Sequence, residues 1–374
     1  MPSKPLPRPT AKAKAKAKAT ATATPTPPLE ETLWHGRLEL PTTAITGYSL
    51  DVLDPIGGGH LGDRVRRAAF QQMLQAWREK FADMGADPFG RTSMRGLGQD
   101  RLDELLRRGG PAATVLRAAA EDYGLQFADV VRRFLRQKGW RGVERIVIGG
   151  GFQDSVLGRL AFSRAAEILA WGKAGVSLRT LHHDPDEGGL VGWLHVVPQA
   201  LLQSHDAMLA VDIGGTNVRC GIVRAHRRHA PDFSAAEVVE RDKWGHADDA
   251  GVRGREDIVD GVADMLCRLI EVARRRRISL APFVGVSCPG LVCPDGSIAG
   301  GAQNLPGNWE SLRFHMPSGL ESRLPAWQGR PFQVMMHNDA VVQGLSELPY
   351  MADVRRWAVL TVGTGLGNAS FRNR

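Results

Sequence analysis

Apolar residues recur along this chain with two periods, and the switches between them mark the elements. Residues 122–140 carry Leu125, Val130, Val131, Phe134 and Leu135 near one stripe, the spacing of an amphipathic helix. Residues 256–275 do the same with Ile258, Val262, Met265, Leu266, Leu269 and Ala273. Helices are also predicted over 68–81, 102–106 and 161–174. Short apolar runs bounded by glycine, proline or polar residues predict strands at 146–148, 178–181, 209–213, 283–287, 333–336 and 357–362. Several of these runs end at a glycine turn or a polar cluster. Strands with functional polar residues in their C-terminal loops are typical of α/β enzymes.

The run 209–213 leads into Asp212-Ile213-Gly214-Gly215-Thr216, and a second apolar run follows Arg219. This reads as two strands joined by a glycine turn. Glycine has no Cβ, so the backbone there can approach a phosphate closely. The turn's N–H groups and the Thr216 hydroxyl can donate to phosphate oxygens. Asp212 offers a carboxylate beside them, suited to magnesium through water. For Gly214-Gly215-Thr216 alone, a tight hairpin is the plainer reading; the acid, the threonine and three later motifs favour phosphate. Asn338-Asp339 stands between a strand and a helix, where helix capping is the plainer role for either residue type.

The match of Asp212, Gly214, Gly215, Thr216 and Arg219 to D-x-G-G-T-x-x-R resembles the first phosphate motif of ROK-family sugar kinases, in the actin-like ATPase superfamily. Three further segments resemble the family's motifs in family order. Cys288-Pro289-Gly290 with Asn304-Leu305-Pro306-Gly307 and Trp309 is similar to its sugar loop. His337-Asn338-Asp339-Ala340 is similar to its catalytic N-D-A. Gly363-Thr364-Gly365-Leu366-Gly367 is similar to its second phosphate motif. The resemblance implies an ATP-dependent, glucokinase-like hexose kinase using magnesium, with Asp212 as the metal's carboxylate. It implies Asp339 as general base, with Asn304, Asn338 and Gly290 at the sugar. It puts Gly214, Gly215, Thr216 and Arg219 on one side of the phosphates, and Gly363, Thr364, Gly365 and Gly367 on the other.

In the family the second phosphate turn lies mid-chain and an ATP-binding lobe follows it. Here the resembling part lies upstream. Glu144 to Gly151 is similar to the strand and glycine turn at the adenosine, which implies Gly149, Gly150 and Gly151 as ATP contacts. Asp184 to Gly192 is similar to the segment that closes the family's last helix. The order thus resembles a circular permutation, tolerated where termini lie close together at the surface. The implied fold is a two-lobed, actin-like (ribonuclease H-like) α/β fold with a central cleft. Residues 33–205 would form part of the nucleotide lobe, 206–338 the sugar and phosphate lobe, and 339–374 a return into the nucleotide lobe. A truncated kinase fused to an unrelated domain is the competing organisation. The family's G-E-x-G-H segment has no counterpart, which leaves the sugar and the role of His60, in the loop Gly57 to Asp63, open.

Composition changes this picture little. A chain of 374 residues with 43% apolar content can fill two cores. No apolar run approaches the roughly 20 residues that span a bilayer. Cys220, Cys267, Cys288 and Cys293 form no disulfide framework and no zinc set, so a cytoplasmic location and no structural zinc are expected. The formal charge of +8 is concentrated in Lys4, Arg8, Lys12, Lys14, Lys16 and Lys18. That low-complexity tail, residues 1–32, is expected to be disordered and more a solubilising extension than a nucleic-acid contact. Arg274 to Arg277 suits the dipole at a helix C-terminus, so nucleic acid is not expected as a partner. A homodimer stays open. So do a non-catalytic sugar sensor, a polyphosphate donor and a non-glucose acceptor.

Overall fold

The computed structural model describes residues 35–55, 57–85, 87–93 and 97–374; the expected tail, 1–32, lies outside them. In chain order the elements are β1 (Thr43–Tyr48), α1 (Arg67–Asp83), α2 (Gln99–Arg108), α3 (Gly110–Phe134), β2 (Arg145–Gly149), α4 (Val156–Trp171), β3 (Ser177–Thr180), α5 (Gly188–Val191) and α6 (Gln199–Ser204). Then follow β4 (Ala207–Ile213), β5 (Val218–Arg224), β6 (Glu237–Trp244), α7 (Arg255–Arg275), β7 (Leu280–Cys288), β8 (Leu291–Val292), β9 (Ile298–Gly300), α8 (Met316–Glu321), β10 (Gln333–Asn338), α9 (Asp339–Leu345), β11 (Arg356–Val362) and β12 (Leu366–Asn373).

These strands make two five-stranded mixed sheets and a small hairpin. One sheet has the order β10-β7-β4-β5-β6, the other β1-β12-β11-β2-β3. The second sheet draws on both ends of the chain. β11 pairs in parallel with β2, Trp357 opposite Arg145 and Thr361 opposite Gly149. β12 lies antiparallel to β11 and to β1.

Three apolar clusters fill the molecule. One surrounds α3, where Phe70, Tyr123, Phe127, Phe152 and Phe162 meet ring to ring. The second buries the predicted stripe of α7 against β4, β5 and β7. The third joins the sheets: Leu190, Trp193 and Val342 pack with Val211's neighbour Ala210 and with Trp357 and Phe371. Helix α9, leaving β10 directly, packs on β11 and β12 as well, so Asp339 stands where the two sheets approach.

Element boundaries depart from the sequence reading in places. The helix expected over 122–140 begins at Gly110, with Pro111 in its first turn; proline's fixed φ suits that position. It ends at Phe134, and Trp140 sits in a separate 3-10 turn. Leu125, assigned to the apolar stripe, is 46% exposed. β1 and β6 were not anticipated. β6 is a polar edge strand with no fully buried residue, so it lacks the apolar alternation that announces a strand.

Candidate active site

The ends of β2, β4, β7, β10 and β11 open onto one cleft of about 710 Å³. All of the expected site residues line it except Gly149. Three of the loops that carry them converge. Gly214 N–H donates to Asn217 O at 2.9 Å and closes the β4–β5 turn. A Cβ on Gly215 would lie 3.3 Å from Asn304 Cβ and 3.4 Å from Thr364 Cβ. Gly365 in turn stands close to Asn304, whose Nδ2 would be 3.1 Å from an added Cβ. The first turn, the Asn304 loop and the second turn therefore meet at one point.

Two carboxyls occupy the floor. Asp212 is the penultimate residue of β4; Ser287 Oγ donates to its Oδ1 at 3.3 Å and Arg219 Nη1 lies 3.4 Å from Oδ2. Arg219 is also held by Asp186, which Lys243 pairs at 2.7 Å. Burial pushes the Asp212 carboxyl up, and the Arg219 charge opposes this. Asp339 is the first residue of α9, and its Oδ1 accepts from Ala340 N at 2.8 Å. Burial, and then the nearby Asp212 charge, push its carboxyl up to about 7.

Asn338 lines the cleft and takes the capping role that its place between strand and helix offered. It caps α9, accepting from Val341 N at 3.1 Å, and its Nδ2 donates to Gly290 O at 3.0 Å. Both ends of the amide serve the backbone. The side chain fixes Gly290 and the start of α9. Gly290 itself has φ +105, and a Cβ would meet Gly300 O at 2.5 Å, so it is glycine for backbone reasons. Trp309 packs its loop: it is buried, edge-on to Phe314, and donates to Pro306 O at 2.9 Å.

The triple glycine after β2 is partly enclosed by neighbouring protein. A Cβ on Gly149 would press on Gln343 Oε1 at 2.6 Å, and on Gly150 (φ +89) it would strike Val362 O at 2.2 Å. Two of these three glycines admit neighbouring protein, and Gly149 does not reach the cleft. Gly151 alone has open space, with nothing within 4 Å of an added Cβ. In the Gly363–Gly367 turn Gly363 is likewise open, while a Cβ on Gly367 would lie 2.2 Å from Thr361 Oγ1.

Several cleft residues were not singled out as site residues. The loop Gly57 to Asp63 contributes His60, Gly62 and Asp63 to the rim, with Asp51 paired to His60 Nδ1 and Arg66 beside Asp63 at 3.4 Å. Arg67 N–H donates to Gly363 O at 3.0 Å, seating this segment on the second turn. Ser287 and Asp186 adjoin motifs that the sequence does show, and their polar side chains next to those motifs were the available signal. Among the described residues no group of three His, Cys, Asp or Glu is placed to hold a metal, and no helix is long and apolar enough to cross a membrane.

No model of a protein family and no curated protein matches the chain. Among solved structures it is similar to a ROK-family glucokinase from Streptomyces griseus in complex with glucose and AMPPNP, at 22% identity over 45% of this chain and 46% of that one, TM-score 0.33. It is similar to a ROK hexokinase from Thermus thermophilus at 22% identity over 43% and 45%, TM-score 0.31. It is also similar to a candidate N-acetylmannosamine kinase from Listeria monocytogenes at 25% identity over 45% and 47%, TM-score 0.32. The chain thus spans about half the length of the solved structures it matches.

Proposed function

We propose that this chain is an ATP-dependent sugar kinase of the ROK type, glucokinase-like in its chemistry, with the family's segments in permuted order. The observation that carries the reading is the position of Asp339. Its carboxyl shares one cleft with two glycine–threonine turns, and its pKa lies near 7.

Phosphoryl transfer needs an aligned acceptor, neutralised phosphate charge and a destination for the hydroxyl proton. In this reading the sugar oxygen attacks the γ-phosphorus, the bond to the β–γ bridging oxygen breaks, and the hydroxyl proton passes to the Asp339 carboxylate. A base whose pKa lies near the working pH combines availability with driving force. Gly214 to Thr216 and Gly363 to Gly365 face one another across the phosphate position and supply N–H and hydroxyl donors. Asn304, standing between the turns, would meet both phosphate and sugar. Holding the reactants in line can supply roughly 7–11 kcal/mol of barrier reduction.

Magnesium fits this donor set in one way. Asp212 is a single carboxylate partly engaged by Arg219, which suits a cation carried largely by nucleotide phosphates and waters. When bound, the cation would neutralise charge on the transferred group.

A coupled ADP-release assay over a panel of sugars, with ATP and polyphosphate as alternative donors, tests the reading. Sugar-dependent ADP release that vanishes in Asp339→Asn is the expected result. Sugar binding without turnover would replace the kinase by a sensor, and turnover with polyphosphate alone would replace the donor.

A further inference from the structure

His246 lies in the β6–α7 connection, behind the first glycine turn and off the cleft. It is 2% exposed. Its Nε2 is 2.8 Å from Gly214 O. A carbonyl oxygen only accepts, so Nε2 carries the proton and Nδ1 is the acceptor. Nδ1 is buried and has no partner among the described residues. The next residue repeats the contact: Ala247 N–H donates to Thr216 O at 3.3 Å. The ring is held edge-on by Trp244, centroids 6.0 Å apart. Trp244 is seated so closely on α7 that a Cβ on Gly261 would lie 2.3 Å from its ring.

The peptide unit transmits this fixation. It is planar and trans, so its C=O and N–H point in opposite directions; the chain has no cis peptide bonds among the described residues. Holding the Gly214 carbonyl toward His246 turns the Gly215 N–H the other way. Gly215 lines the cleft, and its N–H has no protein partner among the described residues. A phenylalanine would fill the His246 site and remove the unpaired buried Nδ1, which is costly, but would take from Gly214 O its Nε2–H donor. What the imidazole adds is the Nε2–H.

We infer that His246 is a positioning residue for the first glycine turn, holding the Gly215 N–H as a preset donor to a phosphate oxygen of the nucleotide. The ligand part of this inference rests on the kinase reading; the orientation of the turn does not. Three variants separate the possibilities. His246→Phe keeps the ring's bulk and loses the donor. His246→Asn is polar but too short to reach Gly214. His246→Gln can place an amide N–H where Nε2 stands.

Two measurements apply to each: hydrogen exchange of the peptide spanning 213–218, and the Kd for AMPPNP and for the sugar that the wild type turns over. Faster exchange in the Phe and Asn variants, with wild-type protection in Gln, is expected. So is a roughly tenfold weaker AMPPNP Kd in Phe and Asn, recovered in Gln, with the sugar Kd unmoved. A merely structural role would shift both ligands together. If His246→Phe does not fold, the Asn and Gln pair carries the same contrast. Unchanged exchange in the loss variants overturns the inference whatever the protein binds. A wild type that binds no AMPPNP but shows the exchange pattern removes the kinase reading and upholds the positioning role.

Discussion

The turn after β4 and the turn after β2 are both glycine-rich, both end a strand with a parallel neighbour, and both were read from sequence as nucleotide contacts. The structure separates them. Both turns reach the cleft that holds Asp212 and Asp339, and Gly215 faces side chains of two other cleft loops at tight distances. Gly149 and Gly150 have protein in the space a Cβ would need, Gln343 and the Val362 backbone. Glycine marks close approach, and it does not say whether a ligand or another strand is approaching. The neighbours decide: a turn with charged groups and free N–H groups around it has something to bind.

If the chemistry belongs to the first turn, Asp339→Asn has the largest effect. It should lower kcat at least ~100-fold, the usual size of a lost general base, with sugar Kd little changed. Because burial disfavours the charged carboxylate, the amide should keep or raise the Tm at pH 8. Steady-state kinetics and thermal melts check both; a variant retaining more than about a tenth of kcat ends the base assignment.

The two turns are contrasted directly by Gly150→Val and Gly215→Ala. The first forces a side chain into Val362 O at a positive φ, and should destabilise the fold by several kcal/mol, seen as a large drop in Tm. The second should leave Tm nearly unchanged and weaken AMPPNP binding roughly tenfold, since Asn304 and Thr364 must give way by tenths of an ångström. Selective loss of nucleotide affinity in a stably folded Gly150→Val would erase the distinction.

The acid limb of the pH profile comes next. kcat/KM in the free enzyme should rise about tenfold from pH 6 to pH 8 as Asp339 releases its proton near 7. Stability should move the other way. Asp339 and Glu347, both pushed up to about 7 by burial, hold protons in the folded chain that the unfolded chain has already released. Stability therefore falls as pH rises from the ordinary carboxylate range to about 7, and levels off above it. Denaturant titrations at pH 5 and pH 8 measure the difference.

The smallest effect is the most delicate test of the turn after β2. Gly151→Ala enters open space, so its stability should stay within about 0.5 kcal/mol of wild type. A severalfold weaker AMPPNP Kd would put the adenosine there, and an unchanged one would leave this turn a purely structural corner.

What was legible in the sequence was local. Asp212 to Arg219, Asn338-Asp339 and Gly363 to Gly367 each stand at the end of a strand legible in the sequence, and each segment reaches the cleft. The part that escaped depends on partners brought from afar. The cap at Asn338 was readable, but its tie to Gly290 exists because β7 and β10 are neighbours, and nothing near residue 338 announces that. The polar strand β6 earns its place by pairing with β5 along its length, which no apolar period signals. His246 reads as one of 11 histidines until the fold sets Gly214 against it.

The order of the strands has a consequence for how the chain is made. Thr43 and Arg372 are hydrogen-bonded 329 residues apart, and in the sheet β1-β12-β11-β2-β3 the strands synthesised first leave a two-strand gap between them. That gap closes only when β11 and β12 emerge, while the sheet β10-β7-β4-β5-β6 is encoded in one stretch and can assemble earlier. Nascent chains therefore carry unpaired edges of β1 and β2 for most of translation, a state prone to aggregation and to chaperone capture. Pulse-labelled hydrogen exchange during refolding should show amides of β4 and β7 protected before those of β2, and the long-range closure makes that last step slow.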